Sequence, residues 1–164
     1  MARAVAKILA DLHAFQPGDG NWIPLDELLV ELWDSGKAGK HVRELLAVLE
    51  RFPEDDGEGV LWSIVHGLED VGGYERELVE SVRRQPSELG VTMIGRLLNS
   101  GTLLIGDVSL VGVLREVTVA SAAPESVRES AADWVRKHAD PGAAPDRGGT
   151  KRKPGSRSPR RRGR

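Results

Sequence analysis

A tryptophan and a histidine in strongly acidic surroundings are the residues best suited to chemistry or recognition. Trp62 and His66 lie four residues apart in LWSIVHGLED, shortly after the acidic run EDDGE. A helix brings positions i, i+4, i+8 and i+11 to one face. Four residues of the predicted helix over 58–70 have that spacing: Glu58, Trp62, His66 and Glu69.

This spacing predicts an acidic, aromatic surface that binds a basic partner. Tryptophan is enriched at interface hot spots because it buries a large rigid area and keeps one hydrogen-bond donor. Carboxylates around it steer a cationic protein toward the surface. The predicted partner-binding residues are Glu54, Asp55, Asp56, Glu58, Trp62, His66, Glu69 and Asp70.

The same residues also have a purely structural interpretation, which the sequence leaves open. Trp62 would then pack on the next helical hairpin, and His66 would make an interhelical hydrogen bond. The carboxylates would serve the positive end of the helix macrodipole.

Metal binding and catalysis have little support in the sequence. His66 and Glu69 form a His-x-x-Glu pair, but none of the other three histidines has ligand spacing with it. Ser63 precedes His66 by three residues without a recognisable oxyanion-hole context. The G-x-S-x-G, P-loop and G-x-G-x-x-G motifs are all missing from the sequence. We therefore expect a protein that is not an enzyme and needs no metal or cofactor.

The charge of the chain is divided sharply between its two ends. All 25 acidic residues lie at or before Asp146, with 14 Lys and Arg, so residues 1–146 carry a formal charge of −11. Residues 147–164 hold nine Lys and Arg and no acid. We expect an acidic domain over 1–139 and a disordered Arg/Pro/Gly-rich tail over 140–164.

The basic tail is suited to binding nucleic acid or another polyanion. It lacks interleaved aromatic residues, so base stacking is not indicated. Three other interpretations remain: a solubilising extension, an intramolecular counter-charge for the acidic domain, or a chance extension of the reading frame. The predicted polyanion-binding residues are Lys151, Arg152, Lys153, Arg157, Arg160, Arg161, Arg162 and Arg164.

The composition favours a cytoplasmic protein. The chain has no Cys, which removes disulfide scaffolds and thiol chemistry and fits a reducing compartment. No apolar run approaches the roughly 20 residues needed to cross a bilayer. Asp11 and His13 interrupt the apolar N-terminal stretch, so an amphipathic helix explains it better than a signal peptide.

Hydrophobic periodicity predicts an all-α fold of about eight helices. Leucine and valine stripes at helical spacing recur along the chain, and no convincing alternating strand is present. TLLIG at 102–106 is an apolar connector that could be extended, and Asp107 is a candidate N-cap for the seventh helix. Gly90 and Gly95 lie inside the sixth helix and predict close approach of a neighbouring helix.

The helices group into predicted antiparallel hairpins, the second with the third, the fourth with the fifth and the sixth with the seventh. These hairpins start near Leu25, Val60 and Leu89, at uneven steps of 35 and 29 residues. Such steps are in the range of a degenerate HEAT-like right-handed solenoid. An irregular helical bundle is the alternative.

Three segments together resemble a known family. LWSIVHGLE, GYERELVESV and PSELGVTMIGRLLNSG are similar to the helical immunity proteins of bacterial polymorphic-toxin and contact-dependent inhibition systems, immunity protein 30 in particular. The matching features are the S-I-x-H-x-x-E core from Ser63 to Glu69 and the R-x-L-N-S ending from Arg96 to Ser100. The resemblance covers about residues 40–120, and the basic tail lies outside it.

The resemblance implies a small cytoplasmic protein that binds and neutralises one cognate toxin. It would act by stoichiometric occlusion of the toxin's active or substrate-binding surface. The acidic composition independently favours a basic partner, such as a nuclease domain. The alternative function is a small helical-repeat adaptor that docks a protein and uses its basic tail on nucleic acid.

Overall fold

The computed structural model describes residues 3–139, and these are mostly α-helical. The eight helices of this part of the chain are α1 Val5–Ala14, α2 Ile23–Asp34, α3 Val42–Arg51, α4 Trp62–Val71, α5 Glu75–Arg84, α6 Glu88–Asn99, α7 Leu110–Thr118 and α8 Glu125–Ala139. Short 3₁₀ turns at Gly18–Gly20 and Ala38–Lys40 flank α2. The predicted all-α class is therefore confirmed. The predicted disordered tail, 140–164, lies outside the described residues.

A two-stranded antiparallel hairpin interrupts the helices between α6 and α7. Strands β1 Leu104–Ile105 and β2 Val108–Ser109 pair across a two-residue turn whose Gly106 has φ +63°. The prediction that Asp107 caps α7 is wrong, because Asp107 is the second residue of this turn. Ser109 is the N-cap instead, and its Oγ accepts a hydrogen bond from the Gly112 N–H at 3.1 Å.

The helices contact one another along two rows. The odd row is α1, α3, α5 and α7, and the even row is α2, α4, α6 and α8; within each row every helix contacts the next. The rows pack together through α1 with α2, α3 with α4, α5 with α6, and α7 with α8. Of the predicted hairpins, α6 with α7 is also in contact, whereas α2 with α3 and α4 with α5 are not among the extensive helix contacts. The 3₁₀ turn after α2 and the double glycine at 72–73 separate those neighbours.

The predicted apolar stripes fill the core between the rows. In α2, Leu25, Leu28, Leu29 and Leu32 are all buried. Each helix offers one such face, so the rows stack with their leucine and valine side chains inside and their charged faces outside.

Two tryptophans of the even row pack directly on glycines of a neighbouring helix. A Cβ added to Gly67 of α4 would lie 2.3 Å from the Trp33 ring of α2, and one added to Gly95 of α6 would lie 2.3 Å from the Trp134 ring of α8. The close approach predicted for Gly95 is thus confirmed. At Gly90 the nearest atoms are Ser87 Oγ at 2.9 Å and Val82 Cγ2 at 3.2 Å.

Arg51, the last residue of α3, holds the end of α1. Its guanidinium donates hydrogen bonds to the carbonyl oxygens of Leu12 and His13, at 2.8 and 2.6 Å, and to that of Phe15. The Leu12 carbonyl also accepts a hydrogen bond from the Phe15 N–H at 3.4 Å. Arg51 adds donors to the carbonyls at this helix end and complements the negative end of the α1 macrodipole. Partial burial lowers the pKa of Arg51. Phe52, which follows, packs edge-on against Trp22 with ring centroids 4.9 Å apart.

None of the helices in residues 3–139 has the length and apolarity that a membrane span requires.

Candidate interaction surface

The predicted acidic surface begins in a loop, residues 53–61, rather than in a helix. We predicted a helix over about 58–70, but α4 begins at Trp62. Gly57, Glu58 and Gly59 have φ values of +62°, +54° and +93°. Three successive residues in this left-handed region exclude an α-helix. Glu58 therefore does not lie on the predicted helix face with Trp62, and that part of the prediction is wrong.

Contacts at both ends hold the acidic loop, which we define as Glu54, Asp55, Asp56, Gly57 and Glu58. Gly57 is buried against the Trp22 ring, where an added Cβ would lie 2.9 Å from a ring carbon. Asp55 Oδ1 accepts a hydrogen bond from the Gly57 N–H at 2.7 Å, which fixes the turn. Glu54 Oε1 accepts one from Ser126 Oγ at 2.6 Å.

The acidic loop lies beside the N-terminal ends of the even row. Trp22 is the N-cap of α2, Ser126 is in the first turn of α8, and the first N–H of α6, from Glu88, donates to the Pro53 carbonyl at 2.8 Å. The loop itself leads into α4. Because helix N-termini carry partial positive charge, they stabilise the loop's carboxylates. This gives the acidic sequence a structural role in addition to any role in binding.

The carboxylates of the acidic loop differ in what they contact. Glu54 and Asp55 make the local hydrogen bonds described above. Asp56 and Glu58 are exposed, and their carboxylates make no hydrogen bond or ion pair within residues 3–139. They are the two loop side chains best placed to meet a partner.

Trp62 and His66 lie together on α4. Their ring centroids are 5.5 Å apart with an interplanar angle of 35°. Trp62 is half-buried and packs against the core, whereas His66 is exposed and makes no hydrogen bond within residues 3–139. The two rings form a partly exposed aromatic step, and the interhelical hydrogen bond considered for His66 is not seen there.

Glu69 links α4 to α6 through Arg96. The Arg96 guanidinium donates to Glu69 from Nε at 2.6 Å and from Nη2 at 2.8 Å, a bidentate pair. This pair raises the pKa of Arg96. Asp70, the neighbouring residue, is exposed and makes no ion pair with any described residue. The Glu69 carboxylate is therefore already paired with Arg96, while the Asp70 carboxylate remains accessible.

A cavity of about 460 Å³ opens beside the Glu69–Arg96 pair. Its lining also includes Tyr74 and Asn99. Burial is the main reason that the pKa of Tyr74 is raised, and the nearby Glu69 carboxylate adds to the effect. Asn99 Oδ1 is 3.1 Å from Nε2 of His138, so the contact joins α6 to α8.

Formal charge differs between the two rows. The odd-row helices carry seven acidic and seven basic residues and are neutral. The even-row helices carry ten acidic and four basic residues, a formal charge of −6. The acidic loop at the N-terminal end of the even row adds four carboxylates and no cation. The negative field of residues 3–139 is thus concentrated on one row and at one end of it.

Residues 3–139 contain no group of three or more His, Asp or Glu residues arranged to hold a metal ion. Of the histidines other than His66, His41 has Nδ1 3.5 Å from a Glu44 carboxylate oxygen, and His138 contacts Asn99. The predicted polyanion-binding residues 151–164 lie outside the described part of the chain.

Sequence reasoning missed two exposed apolar residues of α2. Ile23 and Val30 are 66% and 51% exposed. The signal was present, because Leu25, Leu28, Leu29 and Leu32 already complete the buried face of this helix, and Ile23 and Val30 fall on the opposite face.

Comparisons of the chain with protein-family models, curated proteins and solved structures found no match.

Proposed function

We propose that this chain is an immunity protein that binds a cognate bacterial toxin and neutralises it by stoichiometric occlusion, without catalysis. The observation that carries the proposal is the charge difference between the rows: an acid excess on the even row and its leading loop, beside a neutral odd row. A basic toxin domain, such as a nuclease, is the partner that such a field attracts. Acting on a toxin inside the producing cell requires a cytoplasmic protein.

The proposed architecture is a short HEAT-like solenoid. Contacts between α6 and α8 support it, because Glu88 with Ser130, Gly95 with Trp134, and Asn99 with His138 advance in the same direction along both helices. The two helices are therefore parallel, as alternate helices of a solenoid are. Row-on-row packing of this kind leaves one helix of each pair on each surface, which explains how one surface can be acidic and the other neutral.

Within the proposed interface, the exposed carboxylates and the aromatic step have different tasks. Asp56, Glu58 and Asp70 attract and orient the basic partner over a distance of about one Debye length, roughly 8–10 Å. Trp62 and His66 supply the apolar contact area from which water is excluded on docking. Glu54, Asp55 and Glu69 hold these groups in place through their contacts with Ser126, Gly57 and Arg96.

Co-purification with the product of the adjacent gene tests the immunity function. A toxin encoded beside this chain should bind it one to one, and co-expression should protect a sensitive cell. A stable, folded chain that neither binds the neighbouring product nor protects the cell would contradict the proposal.

A matched pair of charge reversals tests the surface. The double substitution Asp56→Lys with Asp70→Lys should lower the association rate by about tenfold or more at low salt, because steering depends on local charge. The control, Glu44→Lys with Glu80→Lys, makes the same change in net charge on α3 and α5 of the odd row. Stopped-flow association at low and at physiological salt measures both.

Equal effects of the two double variants would show that only net charge matters and would overturn the assignment of the surface. His66→Ala separates the aromatic step from steering, since it should raise the dissociation rate and leave the association rate nearly unchanged. His66 is exposed, so this substitution spares the core.

A further inference from the structure

We infer that the outer face of α2 is a second docking surface, one that accepts a basic amphipathic segment of the partner. We define the α2 face as Ile23, Glu27, Val30 and Asp34. The inference rests on the proposed function and names the kind of segment that the partner must supply. It concerns a different helix from the acidic loop and the Trp62–His66 step.

The α2 face is a narrow stripe in which apolar and acidic residues alternate. Its four members are spaced i, i+4, i+7 and i+11, which places them on one side of the helix, and all four are exposed. Ile23 and Val30 are among the most exposed large apolar residues of the described chain, at 66% and 51%. They lie seven residues apart, about 10 Å along the helix axis.

The α2 face is not covered by another helix, because α2 lies at the start of the even row. α2 is the first helix of the even row and makes its main contacts with α1 and α4. The last helix of that row, α8, exposes only charged residues and one serine, as the end of a helical stack normally does. The two ends of the row therefore differ, and the apolar residues are at the α2 end.

The negative charge of α2 favours a partner segment that carries cations. The helix carries four carboxylates and no Lys or Arg, namely Asp26, Glu27, Glu31 and Asp34. The one ion pair that these carboxylates make within residues 3–139 is from Glu31 to Arg3, at 3.4 Å. A segment that buries Ile23 and Val30 must also place cations near Glu27 and Asp34, since unpaired carboxylates at an interface are costly to desolvate.

Two occupants from the same sequence fit less well. A second copy that docked through the same face would supply four more carboxylates and no cation. Parallel α2 helices would oppose Glu27 to its own counterpart, and antiparallel ones would place the carboxylates against Ile23 and Val30, which costs desolvation without pairing. The basic tail, residues 147–164, has the required cations but no Leu, Ile, Val, Met or aromatic residue to cover Ile23 and Val30. A partner segment with both apolar and basic residues meets both requirements, and a helix with apolar residues at i and i+7 matches the spacing.

Peptide binding to the full-length chain tests the inference without the toxin. The probe is a helical Leu/Lys peptide of about four turns, titrated by isothermal calorimetry at physiological salt. A Ser/Lys peptide of equal charge reports binding through charge alone. The variant is Ile23→Ser with Val30→Ser, and the control is Val119→Ser, because Val119 is 82% exposed just after α7 of the odd row.

We expect the double substitution to weaken Leu/Lys binding by about tenfold or more, and Val119→Ser to leave it within about twofold. Binding of the Ser/Lys peptide should be weaker and insensitive to both. Circular dichroism confirms that the variants are folded; all three side chains are exposed, so no core contact is lost. Equal Leu/Lys affinities in the wild type and the double variant would overturn the inference.

Sedimentation velocity tests whether a second copy of the chain, rather than a partner segment, covers the α2 face. A dimer at tens of micromolar that dissociates in the Ile23→Ser, Val30→Ser variant would show that a second copy is the occupant and would also overturn the inference. The Asp56→Lys, Asp70→Lys variant distinguishes the two proposals. It should associate more slowly with the toxin, but it should still bind the Leu/Lys peptide more tightly than the Ser/Lys peptide. An unchanged association rate of the toxin with that variant would count against the acidic surface of the proposed function, and not against the α2 face.

Discussion

The odd and even rows of helices use their charges differently. Odd-row cations and carboxylates are equal in number, and two pairs of them join helices: Arg84 pairs with Glu50 between α5 and α3, and Arg83 pairs with Glu116 between α5 and α7. Even-row carboxylates outnumber the cations by six, and Asp70 among them has no ion-pair partner in residues 3–139. Charge in the odd row is balanced, and the even row keeps an uncompensated acid surplus.

The rows also differ in what joins their helices. Bidentate arginine–carboxylate pairs occur in both rows, but within residues 3–139 only the even row adds two tryptophan rings that lie on glycines of a neighbouring helix. Surface ion pairs contribute little stability, and close apolar packing contributes more. We therefore expect the tryptophan–glycine packing to contribute more than the ion pairs to the stability of the even row.

Arg51→Met gives the largest expected loss of stability and tests whether an odd-row charge is structural. The substitution removes the donors to three carbonyl oxygens at the end of α1 and retains most of the side-chain volume. The free energy of unfolding should fall by about 2–4 kcal/mol, because partly buried acceptors lose their partners. Urea denaturation monitored by tryptophan fluorescence measures the change.

The control for Arg51 is Arg3→Met, which removes an exposed cation paired with Asp11 and Glu31. Its cost should be at most about 1 kcal/mol. Similar losses for Arg51→Met and Arg3→Met would mean that the capping of α1 contributes no more than a surface pair.

Gly67→Ala and Gly95→Ala should each destabilise the chain by about 1–3 kcal/mol. The added methyl group would lie 2.3 Å from a tryptophan ring, so the ring or the helix must move. Gly112→Ala in α7 is the matched control, since its nearest neighbour is Ser109 Cβ at 3.3 Å and alanine favours the helix. Denaturant midpoints that are equal for all three variants would contradict the difference between the rows.

The sequence predicted the helices better than their arrangement. Leucine stripes identify a helix and its buried face because the 3.6-residue period is local, and those of α2 and α3 were confirmed in this way. Gly95 signalled a close neighbour, but nothing local to it identifies Trp134, which is 39 residues away. Which helices pair depends on the geometry of the connecting turns, so the predicted pairs α2–α3 and α4–α5 were wrong although α6 and α7 do contact each other.

The sequence predicted which residues make up the candidate surface, but it did not predict the contacts that those residues make. The acids and aromatic residues of 54–70 are adjacent in sequence, so their neighbourhood needed no fold. The partners Arg96 of Glu69 and Ser126 of Glu54 are 27 and 72 residues distant, and only the fold shows that these two carboxylates are engaged. α4 begins four residues later than predicted because Gly57, Glu58 and Gly59 adopt positive φ values, which the helical spacing of the side chains does not reveal.

Glu58→Gly should slightly stabilise the chain, an effect opposite in sign to the others. Glu58 has φ +54°, a conformation that costs a non-glycine residue about 1 kcal/mol and glycine almost nothing. Its carboxylate makes no hydrogen bond or ion pair within residues 3–139 that would be lost. We expect the free energy of unfolding to rise by roughly 0.5–1 kcal/mol, offset in part by the greater freedom of glycine in the unfolded chain.

Glu58→Ala is the control, because it removes the same charge and keeps the backbone strain. Its free energy of unfolding, measured by urea denaturation, should not rise. Both variants should slow association with a basic partner equally, because both remove one carboxylate from the acidic loop. A gain in stability from Glu58→Ala equal to that from Glu58→Gly would attribute the effect to relief of repulsion among the loop carboxylates, and the acid excess of the loop would then itself be a cost to folding.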